Sequence, residues 1–223
     1  MANSYINQGQ KPRAWKVLQE AAKCEYDNWK VWDNILLVST DCAHFEEVIR
    51  AYHRLLDLKN GKHVDVQVLS ILVRAISENL LDNYDRPSLA LKKAALELFG
   101  RLVAENSGES KIWELYAQLV VVKDSSDSEQ VSEEDLYKAA QFLQRATATF
   151  MQRDKDWVKS TDKVNEGLAL SVKYVQGCIE AAQASTNKAS SIQQMSSAKM
   201  TLKSMLSKIK VNNQNNLEKF IHT

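Results

Sequence analysis

The chain has 223 residues, of which 44% are hydrophobic and 26% charged, so it is long enough to bury a core. Only 6 Gly and 2 Pro leave few turn residues for a sheet protein, which favours an all-α fold. A net charge of +1 gives no general reason to expect nucleic acid, and no apolar run approaches the roughly 20 residues of a membrane helix. Three scattered cysteines argue against a disulfide framework and favour a reducing compartment, the cytoplasm or the nucleus.

The first half of the chain predicts paired amphipathic helices over residues 29–40 and 45–58. Apolar residues recur there at three- and four-residue spacing, which places them on one helix face. The inner residues of the pair are Trp32, Ile35, Leu36 and Ser39, then Val48, Tyr52 and Leu55. Because only about four residues remain for the turn, the two helices are expected to pack antiparallel as a hairpin.

A 34-residue interval links this hairpin to the preceding segment. Ala14 and Ala21 lie 34 residues before Val48 and Leu55, and both are small enough for close helix contacts. Tyr5 stands at the same interval before Ser39. We therefore expect the chain to begin partway along the first helix of a repeat and to be the C-terminal part of a longer solenoid.

Similar helix pairs are predicted downstream. Expected helices cover residues 65–81, 88–106, 111–122, 133–150 and 156–184, and an amphipathic helix begins at about residue 191. The predicted organisation is helical hairpins over 1–123, an acidic flexible insertion over 124–131, further repeats over 132–184, and a basic amphipathic capping helix with a tail over 185–223. In the helix over 156–184 the expected inner residues are Trp157, Val164, Leu168, Val172, Val175 and Ile179.

The segments KCEYDNWKVWDNILLVSTDCAHFEEVIRAYHRLLDLK, residues 23–59, and DVQVLSILVRA, residues 65–75, resemble the tetratricopeptide repeat family. The resemblance implies an α–α solenoid with a right-handed superhelix. It also implies a non-enzymatic scaffold that binds proteins and helps to assemble or chaperone multi-subunit complexes. Ala43 stands where such repeats commonly have Gly, which argues against a tight left-handed turn at this residue.

Residues suited to catalysis or metal binding are sparse. Cys42 and His44 lie two apart, but a zinc site needs about four ligands. His53 and Asp57 are interpreted as a pair on a helix surface. Because no glycine-rich phosphate loop or Gly-flanked serine occurs either, the sequence predicts no enzyme activity, cofactor, metal or small-molecule substrate.

The candidate binding residues lie on the outer side of the helix over 29–40. They are Lys30, Asp33, Asn34, Leu37 and Asp41, and in a solenoid they would face a groove for a peptide or helix of a partner protein. Some repeats grip an acidic C-terminal tail with Lys and Asn one turn apart. Asp33 and Leu37 occupy those places here, so that clamp is not predicted without a compensating cation.

Two segments have a biased charge. Residues 123–135 are acidic, with Ser126 as a candidate phosphorylation site and Ser132 as the expected N-cap of the next helix. From residue 184 onwards lysines dominate. The final helix could cap the last repeat, bind a partner helix, or contact RNA or a membrane surface as a basic adaptor.

Overall fold

The computed structural model describes residues 9–106, 108–123, 131–153, 156–185 and 187–221. Within these ranges the chain forms nine α-helices and no strand, so the all-α prediction is confirmed. A β-bridge joins Leu81 and Pro87. The chain divides into two compact units, an N-terminal unit of residues 1–107 and a C-terminal unit of residues 108–223.

The described part of the N-terminal unit contains five α-helices. They are α1 (Lys11–Cys24), α2 (Trp29–Asp41), α3 (Phe45–Leu58), α4 (Val66–Ser77) and α5 (Lys92–Glu105). The Asn28 side chain caps α2 by accepting a hydrogen bond from the Lys30 amide at 3.1 Å, and Asp65 caps α4 in the same way. The predicted pairing of α2 with α3 is confirmed, because the two helices pack along their length.

Equivalent helices of this unit bury equivalent positions, but the interval between them varies. Ala14, Leu18 and Ala22 of α1 are buried, and so are Val48, Tyr52 and Leu56 of α3, 34 residues later. The buried residues of α4 come 37 residues after those of α2: Trp32, Ile35, Leu36, Val38 and Ser39 become Leu69, Leu72, Val73, Ala75 and Ile76. The shift from 34 to 37 residues is taken up in the loop before α4, so the helix faces stay in phase.

Three successive helices end in the same left-handed turn. At the end of α2 the His44 amide donates to the Ser39 carbonyl at 2.8 Å and the Ala43 amide to the Thr40 carbonyl at 3.2 Å. This is the Schellman arrangement, in which the residue after the cap is left-handed. Ala43 has φ 56°, and Asn60 and Asn79 take its place after α3 and α4. The expectation for Ala43 is therefore wrong, because the two hydrogen bonds hold an alanine where glycine is preferred.

The C-terminal unit contains four α-helices among its described residues. They are α6 (Ser110–Val120), α7 (Glu133–Arg153), α8 (Thr161–Ala184) and α9 (Lys188–Ile221). The predicted N-cap is confirmed, because the Asp135 amide donates to Ser132 Oγ at 3.1 Å. Each helix packs on the next, and α8 lies between α7 and α9.

A buried carboxylate links α6 to α8. Glu114 accepts hydrogen bonds from Lys111 Nζ at 2.8 Å and from Lys173 Nζ at 2.5 Å. Burial acts to raise the pKa of Glu114, but the two lysines outweigh it and hold the pKa below its ordinary value. The carboxylate is therefore charged and ties two helices together.

Two predicted boundaries differ from the structure. The helix expected over 65–81 ends at Ser77, since the left-handed Asn79 stops it. The helix expected from 156 begins at Thr161, because residues Trp157–Lys159 form a short 3-10 turn. Trp157 is nevertheless buried, and its ring lies 5.9 Å from that of Phe150.

The inner face predicted for α8 is wrong. The structure buries Gly167, Leu170, Ser171, Tyr174, Cys178 and Ala181, whereas Val172 and Ile179 remain 50% and 39% exposed. Where α8 approaches its neighbours closely, small residues such as Gly167 and Ser171 share the buried side with Leu170 and Tyr174. Val172 and Ile179 lie on the outward side, which hydrophobic periodicity alone does not predict.

Several predictions lie outside the described residues. These are the structure of the acidic insertion over 124–130, the candidate phosphorylation site Ser126, and the helix expected around Tyr5. The proposed domain boundaries remain a prediction.

Candidate protein-binding groove

The five predicted groove residues occupy different environments on α2. Lys30 is exposed, Leu37 is 46% exposed, and Asp33 and Asn34 are half-buried. Asp41, at the end of α2, forms an ion pair with Lys11 of α1 at 2.9 Å. Asp41 thus links α2 to α1, while the other four side chains lie along one side of α2.

Helix α4 extends this surface, because it packs beside α2. At the interval of 37 residues, Ile71 takes the place of Asn34 and Arg74 that of Leu37. Ile71 is 41% exposed. A constant 34-residue repeat does not align Asn34 with Ile71 or Leu37 with Arg74. The alignment follows from the buried faces of the two helices, which are 37 residues apart. The surface formed by α2 and α4 therefore presents an aliphatic side chain on each helix.

Cations surround an exposed tryptophan at the start of α2. Trp29 is 42% exposed, and the ammonium group of Lys59 lies 4.3 Å from the centre of its ring. Lys30 Nζ lies 5.9 Å from the same ring. Both distances lie within cation–π range. Lys59 comes from the loop after α3 and was not predicted from the sequence.

Lys59 also neutralises Asp33. Its Nζ atom lies 3.4 Å from Asp33 Oδ1 and 3.1 Å from His63 Nδ1. Burial lowers the pKa of His63 and the Lys59 ammonium lowers it further, so the imidazole is neutral near pH 7. Lys59 is the compensating cation that an acidic ligand would need beside Asp33.

The loop that carries Lys59 and His63 is anchored to α3. Tyr52 is buried, and its hydroxyl accepts a hydrogen bond from the Asp65 amide at 2.7 Å. Burial raises the pKa of this hydroxyl, which therefore stays protonated. This hydrogen bond fixes the loop that brings the lysine and the imidazole beside the start of α2.

The residues considered for metal binding or catalysis are engaged otherwise. His44 is 5% exposed and stacks on Trp15 with ring centres 4.3 Å apart. The Asp57 carboxylate forms an ion pair with Arg101 of α5 at 2.7 Å. Within the described ranges no three His, Cys, Asp or Glu side chains form a metal-binding group.

Comparisons with curated proteins identify relatives of part of the chain. It is 45% identical over 76 residues to tetratricopeptide repeat-containing protein trd-1 of Caenorhabditis elegans, which covers 34% of this chain and 10% of the relative. It is 30% identical over 96 residues to the tetratricopeptide repeat protein 27 homolog of Dictyostelium discoideum, covering 43% of this chain and 11% of the relative. The resemblance to the tetratricopeptide repeat superfamily is confirmed, and within it this part of the chain is similar to tetratricopeptide repeat protein 27. No family model matches the chain.

The relatives are much longer proteins. A TPR repeat-containing protein of Schizosaccharomyces pombe is 30% identical over 112 residues, and only 13% of it is covered. The chain thus spans about a tenth of the length of the curated relatives it matches.

Solved structures of MamA align along most of the chain at low similarity. One is 12% identical with a TM-score of 0.48, covering 93% of this chain and 97% of the other. Another, MamA 41-end from Desulfovibrio magneticus RS-1, is 11% identical with a TM-score of 0.48, covering 95% and 92%. The fold assignment rests on the helix packing within each unit. Within the described residues no helix is both long enough and apolar enough to cross a membrane.

Proposed function

We propose that this chain, which resembles tetratricopeptide repeat proteins, is a non-enzymatic scaffold that binds partner proteins along the groove between α2 and α4. The observation that carries the proposal is the pair of exposed aliphatic side chains, Leu37 and Ile71, on adjacent helices of a helical-hairpin stack. Such a stack offers an extended surface to a peptide or a helix.

The charges at the end of the groove favour an acidic group in the bound segment. Lys30 and Lys59 lie beside the exposed Trp29, and Lys59 is also paired with Asp33. An apolar residue of the partner would contact Leu37 and Ile71, and a carboxylate nearby would meet the two lysines. We propose by resemblance that the partners belong to the chaperone network or to multi-subunit complexes under assembly in the cytoplasm.

Affinity purification from cells, read by quantitative mass spectrometry, tests this function. Leu37→Glu and Ile71→Glu should each deplete the same set of proteins, because a buried carboxylate opposes apolar contact. Leu81→Glu is the matched control, since Leu81 is 58% exposed and lies outside α2 and α4.

Circular dichroism should show unchanged helicity for all three variants. A partner set that is the same for Leu37→Glu, Ile71→Glu and Leu81→Glu would refute the groove. Recovered proteins unrelated to chaperones or complex assembly would refute the assigned process and leave the groove intact.

A further inference from the structure

Within the described residues, α8 and α9 each carry a stripe of exposed and half-buried side chains, which is apolar on α8 and mixes apolar residues with lysines on α9. The stripe of α8 consists of Leu168, Val172, Val175 and Ile179, and that of α9 of Ile192, Met195, Lys199, Lys203, Leu206 and Lys210. Three- and four-residue spacing places each set along one side of its helix. Ile192 is 66% exposed, Val172 50% and Leu206 49%.

Both stripes point away from α7. A methyl group at Gly177 of α8 would meet Leu143 of α7 at 3.1 Å, and Ser197 of α9 accepts a hydrogen bond from Gln144 of α7 at 2.8 Å. Two residues along a helix rotate the side chain by about 200°. Ile179 comes two residues after Gly177 and Lys199 two residues after Ser197, so both lie on the side opposite α7.

The two stripes form one surface because α8 and α9, which carry them, are in direct contact. Ser171 Oγ lies 2.6 Å from Met205 Sδ, and the Cys178 thiol lies 3.9 Å from the Gln194 carbonyl oxygen. These contacts fix α9 alongside α8. We call the two stripes together the outer face of the hairpin.

The charge of the outer face is positive. Lys199, Lys203 and Lys210 are exposed, and in the part of the chain that the structure describes none of them forms an ion pair. No Asp or Glu occupies a stripe position on either helix, and Glu166 of α8 lies two residues before Leu168, on the side towards α7. A second copy of the chain would bring two rows of lysines together, which like-charge repulsion disfavours.

We propose that the outer face of the α8–α9 hairpin binds an amphipathic helix of a partner protein whose flanks carry Asp and Glu. The apolar side of that helix packs against Val172, Ile179 and Leu206. Its carboxylates pair with the lysines of α9, as charged flanking residues do between paired helices. This surface is separate from the groove of the N-terminal unit, so either can fail without the other.

Binding of synthetic helical probes to the full chain tests the proposal. The α9 stripe from Ile192 to Lys210 is about 27 Å long at about 1.5 Å per residue, so a probe of about 18 residues matches it. The acidic probe carries leucine at every third and fourth position and glutamate on both flanks. The basic probe has lysine in place of glutamate. Fluorescence anisotropy should show saturable binding of the acidic probe and at least about ten-fold weaker binding of the basic one.

Variants separate this face from other surfaces. Val172→Glu and Ile179→Glu should each weaken the acidic probe about ten-fold or more, because each places a carboxylate in the apolar contact. Met200→Gln should leave the affinity unchanged, since Met200 is 71% exposed, lies outside the stripe and gains no charge beside Lys199 and Lys203. Changing Lys199, Lys203 and Lys210 together to Glu should reverse the preference in favour of the basic probe, a gain that a misfolded variant would not show.

Four outcomes would overturn the proposal. They are absence of saturable binding by the acidic probe, equal affinity for both probes, binding only to phosphatidylserine vesicles or single-stranded RNA, and self-association abolished by Val172→Glu without probe binding.

Discussion

Two glycines of α8 test how tightly the C-terminal unit is packed. A methyl group at Gly167 would lie 2.7 Å from Phe150 Cε1 and 2.9 Å from Met205 Cε, so it would collide with α7 and α9 together. At Gly177 the nearest atom, Leu143 Cδ1, is 3.1 Å away and belongs to a flexible side chain. The same substitution in the same helix therefore meets a rigid ring at one position and a movable methyl at the other.

Alanine gains about 1 kcal/mol over glycine inside a helix, and this gain is common to Gly167→Ala and Gly177→Ala. Overpacking costs about 1–3 kcal/mol and applies mainly to Gly167→Ala. The free energy of unfolding of the C-terminal unit should consequently be about 1–3 kcal/mol lower for Gly167→Ala than for Gly177→Ala.

Urea unfolding of the full chain, combined with hydrogen exchange in peptides of α7 and α8, measures this difference. Gly177→Ala should be at least as stable as the natural chain. If Gly167→Ala proved as stable as Gly177→Ala, α8 would not be held tightly between α7 and α9.

Three further predictions concern stability. Ala43→Gly should stabilise the N-terminal unit by about 0.5 kcal/mol in urea melts, because relief of left-handed strain exceeds the entropy that glycine adds to the unfolded chain; a destabilised variant would contradict the strain. Glu114→Gln should cost the C-terminal unit about 1–2 kcal/mol near pH 7. Because folding lowers the pKa of Glu114, the stabilisation is present above about pH 4.3 and is lost as the pH falls through the pKa of the folded state. A Glu114→Gln variant that lost as much unfolding free energy in acid as at about pH 7 would refute this. Burial lowers the pKa values of His44, His53 and His63, so stability of the N-terminal unit should fall as the pH drops below about 6.5, and an identical urea midpoint at about pH 5.5 and 7.5 would oppose this.

The sequence is sufficient to predict the helices and their pairing in the N-terminal unit. The inner residues of α2 and α3, such as Trp32 and Tyr52, recur at helical spacing and are buried as expected. The sequence does not predict that Lys59 and His63 lie beside Trp29 and Asp33, because they come from a loop whose course depends on the Tyr52 hydroxyl. Hydrophobic periodicity does not predict the inner face of α8, because it assigns Val172 to the buried side. Close packing against two helices instead buries Gly167 and Ser171.

The Schellman turns after α2, α3 and α4 give each helix its own stop, independent of the connection that comes next along the chain. A mutation that lengthens the connection before α4, for example, leaves the end of α3 intact. The length of a connection can therefore change in evolution while the buried faces of the helices stay the same. Insertions that carry new peptide motifs should accumulate at these connections, and α2, α3 and α4 should keep constant lengths among descendants of the same ancestral gene.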